Sequence, residues 1–166
     1  MVYEEKVVFT VGRVLFLVFP ITSLFLFFTA YQQSMNGPIG NDPSPTWFYV
    51  AMGIFFLAMT YLMAQFSYLA IRIEEKTVLL SYGIFKVTID RASLENVYLD
   101  RANPLFSYGG WGFRLGSFQG RPRKVLNIPG YQCVVLSRQG VKQEIVFSTA
   151  HPETIIQLLR PQSSQT

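Results

Sequence analysis

The chain has 166 residues and a formal net charge of +4, and only 14 % of its residues are charged, against roughly 25 % in soluble globular domains. The deficit is local. From Val14 to Ile71 the only charged residue is Asp42, and a soluble domain covered in that way would expose apolar patches far larger than monomers tolerate. A single cysteine, Cys133, and a single histidine, His151, exclude an internal disulfide and a Cys/His zinc site.

In chain order, the first apolar run is Val14 to Tyr31, with 18 uncharged residues, about 27 Å of helix against a hydrocarbon core of roughly 30 Å. Val7 to Gly12 can extend it, and no small-residue cleavage pattern follows it, so it reads as a span rather than a removed signal. Pro20 is expected to kink this helix. Arg13, near its cytoplasmic end, is expected to snorkel to the headgroups. The second run, Trp47 to Ile71, has 25 uncharged residues and reads as a second span, crossing with tilt. The spans are expected at about residues 10–31 and 47–71, so that residues 1–71 form an N-terminal segment and a transmembrane hairpin. The link from Gln32 to Thr46 holds Pro, Gly and Asn but neither Lys nor Arg. Lys6, Arg13, Arg72, Lys76 and Lys86 all flank the opposite side, which predicts a multi-pass protein of the inner (plasma) membrane with both termini cytoplasmic. Tyr31, Trp47 and Tyr49 fall where an outer aromatic belt would sit, and Tyr68 near the inner one.

From Arg72 onward, short β-branched and aromatic segments alternate with turn signals, which predicts an antiparallel β domain over residues 72–160. Strands are expected near Leu69–Ile73, Val78–Tyr82, Phe85–Asp90, Asn96–Asp100, Gly112–Leu115, Val125–Ile128, Gln132–Ser137 and Gln143–Ser148. HPETIIQLLR reads as a closing helix: Pro152 suits its first position, Glu153 its positive end, and Ile155, Ile156, Leu158 and Leu159 form an apolar stripe. Residues 161–166 read as a flexible tail.

This order resembles the PH-like domains of small bacterial and archaeal membrane proteins. The resemblance rests on VTIDRASLENVYLD, on YGGWGFR from Tyr108 to Arg114, and on the FSTAHPETIIQLL ending. It implies a membrane α + β protein: a two-helix transmembrane hairpin followed by a PH-like antiparallel β barrel or sandwich, partly open and plugged by the C-terminal helix. His151 stands where that family places an Asp, which predicts a weaker helix cap. Phosphoinositide-type PH domains carry their basic residues in the first strand-to-strand turn. Here that turn is Glu74, Glu75, Lys76, which argues against that mode.

Arg114, Arg121, Arg123 and Lys124 form the densest positive cluster, read as a GRPRK loop that can meet anionic lipid or an acidic partner. Trp111 is read as a core residue or a contact with the membrane surface. The glycines around it lack both the GxGxxG and the P-loop spacing. No acid/base or nucleophile set stands out, Cys133 sits in an apolar strand, and no aromatic platform interleaves with the basic cluster for nucleic acid. The expected function is a non-catalytic, membrane-anchored interaction or scaffolding module that uses Trp111, Arg114, Arg121, Arg123 and Lys124, needs no cofactor, and has membrane lipids and other membrane subunits as partners. The alternative is an accessory subunit of a larger energy-conversion or photosynthetic membrane assembly, packed through its aromatic-rich helices.

Overall fold

The computed structural model describes residues 2–40, 44–102, 107, 108, 110 and 112–160, and for residues 11–13 and 15 the backbone only. Trp111, Asp42, the 161–166 tail and the snorkelling expected of Arg13 therefore lie outside the described residues. The chain divides into two compact units, one formed by Met1–Phe9 with Tyr68–Thr166 and the other by Thr10–Ser67. The second unit is thus an insertion within the first.

The inserted unit holds α1 (Thr10–Asn36) and α2 (Thr46–Gln65). Each is long and apolar enough to cross a membrane. The large side chains of Leu17, Ile21, Leu24, Phe25, Ile54 and Leu57 are all exposed. α1 continues through Pro20 and past Tyr31 to Asn36, beyond the expected end of the first span. Gln32, Gln33, Ser34 and Asn36 are polar but compatible with helix, and the helix stops only where Gly37 turns to a φ of +88° and returns its N–H to the Gln33 carbonyl, the usual glycine ending. Ser23 Oγ donates to the Gly53 carbonyl at 2.8 Å, and Phe19 meets Phe56. Gln33 donates to the Ser44 carbonyl. Because partners on α2 descend as those on α1 ascend, the helices are antiparallel. Gly53 lets the helices approach at the crossing: a Cβ there would lie 2.8 Å from the Phe27 ring, which would have to move. Thr22, Thr29 and Thr60 satisfy their hydroxyls on carbonyls one turn back, as buried or lipid-facing threonines do.

The other unit opens with a strand not expected from the sequence, of which only Val7 and Val8 belong to the apolar extension Val7–Gly12. β1 (Tyr3–Val8) pairs antiparallel with β2 (Tyr68–Ile73), with Tyr3 opposite Ile73 and Val8 opposite Tyr68. Its alternation is clear: Val7 is buried while Glu4 and Lys6 are exposed. The apolar run from Trp47 to Ile71 is consequently two elements. α2 ends at Gln65, and Leu69, Ile71 and Ile73 are apolar because they face a β core, not because they extend a span.

β3 (Thr77–Tyr82) and β4 (Phe85–Asp90) complete a four-stranded antiparallel sheet in the order β1-β2-β3-β4. A 3-10 turn at Arg91–Ser93, capped by the Asp90 side chain, leads to β5 (Leu94–Leu99). Then come β6 (Gly112–Phe118), β7 (Arg121–Asn127), β8 (Gln132–Arg138) and β9 (Val141–Thr149), in a second sheet ordered β5-β8-β9-β7-β6. Among the described residues the two sheets stay open and do not close into a barrel, and β7 pairs with β9 in parallel, so the antiparallel expectation fails at that one pair of a mixed α + β chain.

The last helix, α3 (Pro152–Leu159), buries Pro152, Ile155 and Leu159 and packs on β5 and β8. His151 supplies no side-chain cap. Glu5 of β1 takes part of that role, accepting from the Ala150 N–H at 2.7 Å and the Thr149 hydroxyl at 2.6 Å. A carboxylate at this end also suits the helix dipole. At the other end Arg91 donates to the Leu158 carbonyl and to the Glu74 and Glu75 carbonyls of the β2–β3 turn.

Candidate functional site

The cluster read as a GRPRK loop is a strand. Gln119 and Gly120, with φ of +51° and +77°, make the two-residue turn between β6 and β7, and Arg121 is already paired with Phe118. Alternation along β7 then separates the cations. Arg121, Arg123 and Val125 point to one face, while Lys124 points to the other. Lys124 Nζ lies over the Phe113 ring, 5.9 Å from its centroid.

Arg123 is only 4 % exposed and is not a surface residue. Parallel pairing sets it directly opposite Glu144 of β9, and its Nε donates to Glu144 Oε2 at 2.8 Å. Its Nη1 donates to Asp100 Oδ1 at 3.2 Å and also to the Tyr108 hydroxyl, and its guanidinium stacks over Phe118 at 4.7 Å. Both carboxylate side chains are 2 % exposed. Arg121, 68 % exposed, donates to Glu144 from the solvent side at 2.9 Å, and the Tyr98 hydroxyl donates to the same carboxylate at 3.0 Å.

The electrostatics follow from this geometry. Burial disfavours the Arg123 cation, but its bonds to Tyr108 and Glu144 outweigh that and raise its pKa. Burial likewise pushes Glu144 up, yet hydrogen bonds from Arg121, Arg123 and Tyr98 prevail and hold its carboxyl below the usual range. Desolvation and the bond to Asp100 keep Tyr108 a neutral phenol. The network balances two cations against two carboxylates, which is the condition for burying charge at tolerable cost. It ties β7 to β9 and β5 within the second sheet.

Arg114 lies on the Arg123 face of β6, with its guanidinium 3.4 Å from where a Gly110 Cβ would be. The structure therefore divides the five expected contact residues: Arg121 and Arg123 bind Glu144, Lys124 covers Phe113, Arg114 sits by Gly110, and Trp111 lies outside the described residues. Farther along the same sheet, Ser148 Oγ donates to Asn127 Oδ1 at 2.8 Å and accepts from the Ile128 N–H at 2.9 Å. Cys133 Sγ is 3.4 Å from that hydroxyl. Burial pushes the Cys133 thiol up to about 11, so it is a packed thiol rather than a thiolate nucleophile.

A second basic surface escaped the sequence reading. On the face of the first sheet opposite the core, Lys6, Ala70, Ser81 and Lys86 are aligned by register as one row across the four strands. The next row is Glu4, Arg72, Leu79 and Thr88, with Arg72 and Glu4 paired at 2.9 Å. Lys6 lies over the Tyr68 ring at 5.8 Å. The small residues Ala70 and Ser81 leave a shallow depression of about 320 Å³ between the lysines. In the sequence these cations are dispersed over 81 positions, and only the sheet register collects them.

Among the described residues no group of three or more His, Cys, Asp or Glu side chains is placed to hold a metal. Comparison with family models, curated proteins and solved structures finds no significant match for this chain.

Proposed function

We propose that this protein is a membrane-anchored interaction module, in which the α1–α2 hairpin spans the inner membrane and carries a PH-like β domain on the cytoplasmic side, where it binds anionic lipid headgroups or a protein. The observation that carries this reading is the insertion of the apolar hairpin between two directly paired strands. The chain leaves the first sheet at Val8 and re-enters it opposite, at Tyr68, with one residue before α1 and two after α2. Both helices are joined by short connections to the same end of one sheet, which supports a hairpin that crosses and returns with both termini on one side of the membrane. The distribution of Lys and Arg supports a cytoplasmic side.

Purification from native membranes in mild detergent tests this against the accessory-subunit alternative. An autonomous module is recovered as a monomer or homo-oligomer. Stoichiometric recovery with other membrane subunits contradicts it.

A further inference from the structure

The first sheet has two chemically different ends. β2 runs from Tyr68 toward the Glu74–Thr77 turn, and β3 runs back, so the Gly83–Ile84 turn between β3 and β4 lies at the end where the chain enters and leaves the hairpin. Ile84, at the tip of that turn, is 72 % exposed. Gly83 takes a φ of +59°, which suits the first position of a tight two-residue hairpin turn and sets the isoleucine at its apex. Beside it Phe85 stacks on Phe113 of β6, 4.1 Å between centroids and 10° from parallel. Two residues farther along β6, on the same face, Leu115 is 69 % exposed. Tyr68 is exposed in the row that pairs with Val8.

Charge follows the same axis. One step from the hairpin end is the row with Lys6 and Lys86, about 7 Å along the strands from Val8 and Tyr68 at ordinary strand rise. The acid in the next row, Glu4, is already paired with Arg72. The opposite end of the sheet carries Glu74, Glu75 and Asp90 beside Lys76 and Arg91. Apolar and aromatic side chains at the tip, backed by lysines at one row's depth, is the arrangement that interfacial membrane contacts use: the apolar groups enter the acyl boundary and the ammonium groups meet phosphate. In the chain, Val8 is two residues from Thr10 and Tyr68 three from Gln65.

We propose that the hairpin end of the first sheet is a lipid-surface site, in which Ile84, with Leu115 and Tyr68, enters the leaflet and Lys6 and Lys86 grip the phosphates of anionic lipids across the Ala70–Ser81 floor. The inference rests on the hairpin spanning the membrane, and it selects lipid over a protein partner for this surface.

The test uses the full chain in nanodiscs of phosphatidylcholine alone or mixed with phosphatidylglycerol. An environment-sensitive label on Ile84→Cys, or on Leu115→Cys as a second site, is quenched by lipids brominated on the acyl chain, whereas the same label on Lys76→Cys at the far end is not. Cys133, buried, does not compete for label. Spin-labelled phosphatidylglycerol is enriched at the protein over spin-labelled phosphatidylcholine, and the Lys6→Gln/Lys86→Gln variant loses up to about fivefold of that enrichment per lysine, while Lys76→Gln leaves it unchanged. Quenching of Trp47, read against Trp47→Phe, reports the hairpin separately. Quenched Trp47 with unquenched labels at 84 and 115, or equal lipid enrichment in all variants, overturns this site alone. A Trp47 that brominated lipid does not quench overturns the anchoring itself. Labels at 84 and 115 shielded by a co-purifying protein instead of lipid also refute the site.

Discussion

Replacing Arg123 with Met removes the centre of the buried network while keeping a side chain of similar length. The substitution deletes the bonds to Glu144 and Asp100 at 2.8 and 3.2 Å, the bond to the Tyr108 hydroxyl and the stacking on Phe118. Glu144 keeps Arg121 and Tyr98 as partners, but Asp100 is left with the Ala102 N–H and the Tyr108 hydroxyl and no cation. Losing one member of a buried ion pair costs about 3–5 kcal/mol because the remaining charge is uncompensated. For a unit of this size that lowers the melting temperature by roughly 10–20 °C. Arg123→Lys keeps the charge, but one ammonium cannot span both carboxylates, and it recovers part of the loss. Adding Asp100→Asn and Glu144→Gln to Arg123→Met also recovers stability, since the stranded charges go with them. Thermal unfolding of the full chain in detergent, followed by near-ultraviolet circular dichroism, reads all three variants. A loss below about 1 kcal/mol for Arg123→Met, or normal stability combined with lost binding to anionic vesicles, refutes the network and returns Arg123 to the surface.

Three further outcomes follow from the same coordinates. The Glu144 carboxyl is held below its usual range, so its contribution is complete above the unfolded value near pH 4.3 and fades as the pH falls through the folded one; Glu144→Gln is less stable at neutral pH and shows a shallower acid limb, and an unchanged slope contradicts the assignment. Glu5→Ala breaks the bonds from Tyr3, Thr149 and Ala150 and costs about 2 kcal/mol, with faster amide exchange at Ala150; unaltered exchange there removes β1 from the cap of α3. Gly53→Val drives a side chain into Phe27 and widens the hairpin, measured as the distance between spin labels at exposed Ile21 and Leu57, while Ser23→Ala costs on the order of 0.6 kcal/mol; an unchanged label distance in Gly53→Val contradicts the close crossing.

Legibility in the sequence tracked the range of the interactions. Hydropathy alone located both long apolar helices, and alternation located most strands, because burial pattern is a local property. The boundaries failed where one residue type serves two environments. Leu69 and Ile71 are apolar for a β core and not for lipid, and Gln32, Gln33, Ser34 and Asn36 are helical although polar. β1 was absorbed into the apolar run because Val7 and Val8 adjoin it, although the alternation of Tyr3 to Val8 carried the signal. The GRPRK cluster looked like a loop for its Gly, Pro and charge, yet Gly120 forms the turn and the strand begins at Arg121. Its meaning depended on Glu144, which the parallel β7–β9 pairing brings opposite Arg123 from 21 positions away. That pairing, like the Lys6–Lys86 row, is nonlocal, and no periodicity within either segment reports it.

The central claim is that an apolar hairpin inserted between β1 and β2 crosses the membrane and leaves the whole β domain on one side. Single cysteines at Ile39, in the connection between α1 and α2, and at Lys142, in the β8–β9 turn, test it most directly with a membrane-impermeant thiol reagent on sealed right-side-out membranes. The account predicts that Ile39→Cys is labelled at once and Lys142→Cys only after permeabilisation. Labelling of both from the same side contradicts it.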